Sequence, residues 1–119
     1  MFIVAVVVSV LLALVLSGSA YAKLTKDPKV VATLVGTVGV PEERLWMLAA
    51  LELAGAAGLL IGLFWAPLGI AAAIGVVLYF IGAVIGHLRV RDTAPASIGA
   101  PAVILLVAVA ALVLRATTA

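Results

Sequence analysis

The chain has 119 residues, 67% of them hydrophobic and 10% charged, where soluble domains carry about one half and one quarter; a soluble globular domain is excluded. Seven Lys and Arg against five Asp and Glu leave a formal net charge of +2, too little for the electrostatic footprint of a DNA or RNA binder. With no cysteine there is no disulfide, thiolate metal site or thiol redox chemistry within the chain, so electron transfer would need a cofactor or a partner. The dominance of Ala, Val, Leu and Gly suggests GC-rich bacterial coding.

The first element is an uncharged run over residues 2–22, long enough to cross ~30 Å of hydrocarbon as a helix. It ends in "SGSAYAKL", whose Ala20-Tyr21-Ala22 has the small-x-small form of a signal-peptidase site. A cleaved leader has a basic n-region and an apolar stretch of only ~7 to 15 residues. Nothing basic precedes this longer run, so the expectation is a retained span. After it, Asp27 before Pro28 reads as a helix N-cap, and Gly39 with Pro41 as a stop. The intervening "KVVATLVGTV" is apolar enough for a short interfacial helix over about 28–38.

From Leu45 to Leu88 the chain is apolar for twice a span length, with Glu52 its one charge. The break is expected at Ala66-Pro67, because Pro lacks an amide donor and disfavours helix in the residue before it. Spans two and three are then 45–65 and 68–88. Trp46 and Trp65 would lie ~29 Å apart along span two, like interfacial anchors. A fourth span, 99–115, closes at Arg115. Short connections make consecutive helices antiparallel neighbours, so the expected fold is an all-α membrane four-helix bundle forming one transmembrane domain.

All the Lys and Arg residues except Arg115 fall in two loops on one side: Lys23, Lys26, Lys29 and Arg44 in the first, Arg89 and Arg91 in the second. The positive-inside rule places these loops in the cytoplasm and both termini outside it. The expected location is therefore a bacterial cytoplasmic (inner) membrane. The simplest role of the cationic residues is to set topology, although such a cluster can also hold anionic lipid.

The polar residues converge towards the same side. Glu52 lies ~10 Å deep by helical rise, and Tyr79 lies ~12 Å deeper than His87. Ser17 and Ser19 come to similar depth on span one, with Lys23 just below. A carboxylate in hydrocarbon is costly unless paired, protonated or wet, so Glu52 should face the bundle interior. Lys23 is its expected partner, and Tyr79 and the serines its hydrogen-bond donors. Glu52 reads either as half of a register-fixing pair or as a ligand or proton site. His87 is either an ordinary interfacial histidine or a proton carrier at the entrance; Tyr79 is either a packed aromatic or a ligand contact. One histidine and no cysteine argue against a protein-only metal site. The glycines Gly55, Gly58 and Gly62 on span two and Gly82 and Gly86 on span three, with Gly18 on span one, are expected to let helices approach closely.

Taken together, "SGSAYAKL" with Gly18 and Lys23, "VGVPEE" around Pro41, "LELAGAAGLLIGL" with Glu52 and its glycines, and "GHLRV" with His87 resemble the DoxX-like membrane proteins over essentially the whole chain. The resemblance implies a four-helix integral membrane fold working in or beside membrane oxidoreductase systems. Examples are quinone-linked thiosulfate oxidation and mycobacterial assemblies that join a DoxX protein to superoxide dismutase and a sulfurtransferase.

Three functional readings follow. The favoured one is a binding or accessory subunit for a redox or envelope partner, with Lys23, Glu52, Tyr79 and His87 forming a cytoplasm-side polar pocket for a quinone, lipid or similar apolar molecule. The second is a membrane-embedded oxidoreductase or isomerase in which Glu52 and His87 move protons. The third is a small proton-coupled exporter acting as a homodimer. Small multidrug transporters are four-helix chains of similar length, but their membrane glutamate lies in the first helix, where this chain has no acid.

Overall fold

A computed structural model describes residues 1–90 and 95–118, with side chains at all of these except Thr33, Thr37, Val38, Glu42 and 95–97. The uncharged amino-terminal run forms α1, Phe2–Leu24, and "SGSAYAKL" makes its last turns. Thr25 ends the helix by donating its hydroxyl to the Tyr21 carbonyl at 2.9 Å. Lys26 then turns the chain through the left-handed region at φ 53°.

Helix α2 starts as an α-turn, Pro28–Val30, and continues as a π-helix, Val31–Val38. Asp27 caps it, accepting the Lys29 amide at 2.9 Å, while Pro28 supplies a preset φ where no amide donor is needed. Gly39 closes it at φ 89°, a conformation that a side chain would strain. A 3-10 turn, Glu42–Arg44, leads into α3, Leu45–Ile61; after a turn at 62–65 come α4, Ala66–Arg89, and α5, Pro95–Thr117.

The turn between α3 and α4 departs from the expected break at Ala66-Pro67. It spans 62–65, and Pro67 lies in the first turn of α4. Proline at a helix start removes only an amide that has no intrahelical partner, so it opens α4 instead of separating two helices. Gly62 caps α3, and Trp65 stands before α4 with extended backbone (φ −147°, ψ 104°). Trp46 and Trp65 therefore do not share one helix. Both remain exposed, at 61% and 62%, near opposite ends of the same hairpin. α5 also begins earlier than expected and carries Pro101 inside it. The expected loop around Arg91 lies outside the described residues.

The four long helices pack in a ring: α1 beside α3 and α5, and α4 beside α3 and α5. The core is built largely from small side chains, including Ala13, Ala56, Ala73, Ala108 and Ala111, around Leu12, Leu16, Leu59 and Phe80. Outward faces are also apolar, with Leu14 64%, Leu51 59%, Leu78 62% and Leu106 71% exposed. An apolar core inside an apolar surface suits lipid, not water. Phe2–Leu24, Ala66–Arg89 and Ile98–Thr117 are long and apolar enough to cross a membrane; the apolar α3 is shorter, at 17 residues. The long axis of 41 Å matches a bilayer with its headgroup regions, about 40–45 Å.

The glycines divide into two groups. A Cβ on Gly58 would lie 2.7 Å from the Ala72 Cβ, and one on Gly55 2.8 Å from Val76 Cγ2, so both keep α3 close to α4. A Cβ on Gly62 would meet the backbone of Gly69 more tightly still. By contrast, a Cβ on Gly18 or Gly82 would meet no atom within 4 Å. Neither is a packing glycine within the chain: Gly18 is exposed on α1, and Gly82 borders the open space of a cleft. Gly86 is half-buried on the wall of a cleft.

Candidate functional site

The ring brings three of the four expected site residues into one cluster. Glu52 stands seven positions along α3 from Leu45 and is 2% exposed; its Oε1 receives the Lys23 ammonium from α1 at 2.5 Å. Tyr79 of α4 donates its hydroxyl to the same oxygen at 3.2 Å. Lys23 also donates to the Ser19 hydroxyl, one turn back on α1, at 2.7 Å. Helical spacing explains the assembly: residues four apart share a face, so Ser19 stands on the same side of α1 as Lys23 and steadies the ammonium that reaches Glu52.

Charge complementarity makes the arrangement tolerable in an apolar setting. Removing either ion alone would leave an uncompensated buried charge. Both donors converge on Oε1, and Oε2 is buried with no hydrogen-bond partner among the described residues. Tyr79 is fixed further by edge-to-face contact with Phe80, with ring centroids 4.9 Å apart.

Ser17 does not join the cluster. It is exposed, and its hydroxyl donates to the Ala13 carbonyl of its own helix at 2.8 Å, a common outlet for a serine inside a helix. Only Ser19, two residues on, lies on the inward face.

Two clefts flank Tyr79. The first, of about 600 Å³, lies between α3 and α4, with Glu52, Gly55, Gly58, Ala72 and Tyr79 in its walls. The second, of about 500 Å³, lies at the end of the bundle that carries α2. Its polar lining is Ser19, Lys23, Lys29, Tyr79 and His87, and its apolar lining includes Leu34, Leu48, Phe80 and Ile104. His87 is buried at 4% exposure. Lys23, Tyr79 and His87 thus share a cavity, whereas Glu52 contributes to the neighbouring one. The expected four-residue pocket is a buried cluster between two clefts, because α3 turns the carboxylate inward against α1.

At the far end, Arg115 of α5 is buried at 6% exposure. Its Nε donates to the Gly62 carbonyl at 3.0 Å, its Nη1 to the Thr118 hydroxyl at 3.3 Å, and its guanidinium lies 5.6 Å from the Phe2 ring centroid. The sequence marked Arg115 only as the close of the last span. Its spacing from Gly62, 53 residues away, carries no local signal.

Both clefts fall within the ~300–1,000 Å³ range of small-molecule sites. Among the described residues no three His, Asp or Glu side chains gather as a metal ion would require. The available chemistry is hydrogen bonding from ammonium, phenol and hydroxyl groups at the edge of apolar cavities.

No curated protein and no solved structure matches the chain. A model of the DoxX-like family matches residues 7–111, a stretch that begins in α1, ends in α5 and contains the whole Lys23, Glu52 and Tyr79 cluster. This multi-pass helical chain, in contact with the lipid bilayer, belongs to the DoxX-like family.

Proposed function

We propose that the chain is a four-span protein of a bacterial cytoplasmic membrane that binds an apolar small molecule and serves a membrane redox or envelope system as a binding or accessory subunit. The observation that carries this reading is the buried Lys23, Glu52 and Tyr79 cluster beside a cleft that His87 also lines. Ionisable groups inside a membrane bundle are functional candidates by default, and here they stand beside a cavity of ligand size. α3 completes the fourth span, since 17 residues is the short end of the spanning range and the turn at 62–65 adds length. The basic residues around α2 put that end in the cytoplasm and both termini outside, with α2 lying in the interface.

The donors Ser19, Lys23, Tyr79 and His87 fit the carbonyl oxygens of a quinone or the headgroup of a lipid, while Leu34, Leu48, Phe80 and Ile104 fit the apolar remainder. Lys23 has three N–H donors and commits two within the chain, leaving one for a ligand.

The test is native mass spectrometry of the chain extracted gently from its own membrane, beside Glu52→Gln and Tyr79→Phe. A small molecule or partner protein present on the wild type and depleted from both variants supports the reading. If the wild type emerges bare, or both variants carry the same load, the cluster is a register-fixing pair and the binding role fails.

A further inference from the structure

The second cleft has a charge character that the Lys23 and Glu52 pair does not explain. Two ammonium groups, Lys23 and Lys29, reach its lining, and no carboxylate does among the described residues. Lys23 is neutralised by Glu52 at 2.5 Å. Lys29 forms no ion pair among the described residues; only its backbone amide is engaged, by Asp27. Among the described residues the cleft therefore carries one uncompensated cation. Lys29 is exposed and Lys23 is 8% exposed, so Lys29 stands at the mouth and Lys23 lies deeper.

The rest of the cavity is apolar and crosses element boundaries. Val30, Leu34 and Val40 cover it from α2 and the segment that follows, Leu48 comes from α3, Phe80 from α4 and Ile104 from α5. An occupant that satisfies both features has an apolar chain for the interior and a negative headgroup for the mouth. A neutral molecule would leave Lys29 without a partner; a cation would meet it as a like charge. A second hydrogen-bonding tier, from Ser19, Tyr79 and His87, lines the same space. The volume of about 500 Å³ suits a single-chain molecule in the ordinary small-ligand range.

We infer that this cleft takes an anionic single-chain amphiphile, a carboxylate or phosphate on an aliphatic chain, with Lys29 of α2 as the residue that selects the anion. This rests on the binding role proposed above and narrows its ligand to one charge class. Ammonium-to-anion hydrogen bonds are about twice as strong as neutral ones, and each buried CH₂ adds to the affinity. Tail burial then sets affinity, and Lys29 sets selectivity.

The experiment uses the full chain in a neutral-headgroup detergent and three probes of equal chain length: palmitate, hexadecyl phosphate and 1-hexadecanol. Binding of each is measured for the wild type and Lys29→Gln, whose exposed position keeps it apart from the folded core. The wild type is expected to prefer both anions over the alcohol by roughly tenfold, the factor for one charged hydrogen bond. Lys29→Gln should bring that ratio close to one while hexadecanol affinity stays unchanged. Tighter binding of hexadecyl phosphate than of palmitate assigns the phosphate; the reverse assigns the carboxylate. Equal affinity of the wild type for palmitate and hexadecanol overturns the anion assignment and leaves the binding role standing, as does a preference undiminished in Lys29→Gln. Failure of all three probes to bind overturns the amphiphile assignment, while the binding role stands or falls on the native mass spectrometry.

Discussion

Arg115 in α5 donates its Nε proton to the carbonyl of Gly62 at 3.0 Å, so the last helix satisfies a backbone acceptor at the end of α3. The guanidinium reaches a group that the helix itself leaves without a partner. The same side chain packs against Gly69, where an added Cβ would come within 3.2 Å of Arg115 Cγ. One residue thereby locks α5 to the hairpin of α3 and α4.

Arg115→Met should lower stability by about 1–3 kcal/mol, the cost of stranding a buried acceptor. Arg115→Lys should recover only part, since a single ammonium does not reproduce the guanidinium fork. Thermal unfolding in detergent reads both; a midpoint unchanged in Arg115→Met would show that the contact holds nothing together.

Single removal of either member of the Lys23 and Glu52 pair should cost about 3 kcal/mol or more, because it strands the other charge. The paired replacement Lys23→Met with Glu52→Leu should come back close to wild type. A double-mutant cycle on unfolding midpoints measures the coupling directly. Additive losses would mean that the two side chains do not act as a unit.

Alanine at two glycines should act in opposite directions. Gly58→Ala forces a methyl against the Ala72 Cβ, which has no flexible end to move, and overpacking of this kind costs about 1–3 kcal/mol. Gly82→Ala grows into open space and removes the backbone freedom of a mid-helix glycine, a gain of about 0.5–1 kcal/mol. Equal effects at the two sites would contradict the α3 and α4 contact described here.

The proposed four-span topology gives a labelling prediction made clean by the lack of native cysteine. Thr117→Cys should react with a membrane-impermeant maleimide in intact cells, and Lys26→Cys only after lysis. Single-tryptophan variants keeping Trp46 or Trp65 should both be quenched by acceptors at headgroup depth. Deep-chain quenching of either would mean that α3 does not reach both faces.

Much of this arrangement was legible in the residues because membrane burial leaves few choices for a charge. One acid in a long apolar run must turn inward, and helical rise alone set Glu52 level with Tyr79 and within reach of Lys23. What escaped was side-chain direction at one-residue resolution. Ser17 and Ser19 are two apart on a helix, so only one can face Glu52. Gly82 and Gly58 share a spacing pattern that says nothing about which face it lies on. Pro67 suggests a break because proline disrupts helix interiors, yet the same chemistry favours it in a first turn. Lys29 looked like one more topology charge until α2 folded over the cleft.

The stacking of Arg115 against Phe2, 5.6 Å from guanidinium to ring centroid, sets the start of α1 beside the end of α5. α1 leaves the ribosome before α5, its neighbour in the ring, so that flank of α1 stays uncovered in the bilayer until α5 has been made. That same adjacency offers a protein engineer a reordering of the bundle: a short linker from α5 to α1, with the chain opened elsewhere, would make the two as one hairpin.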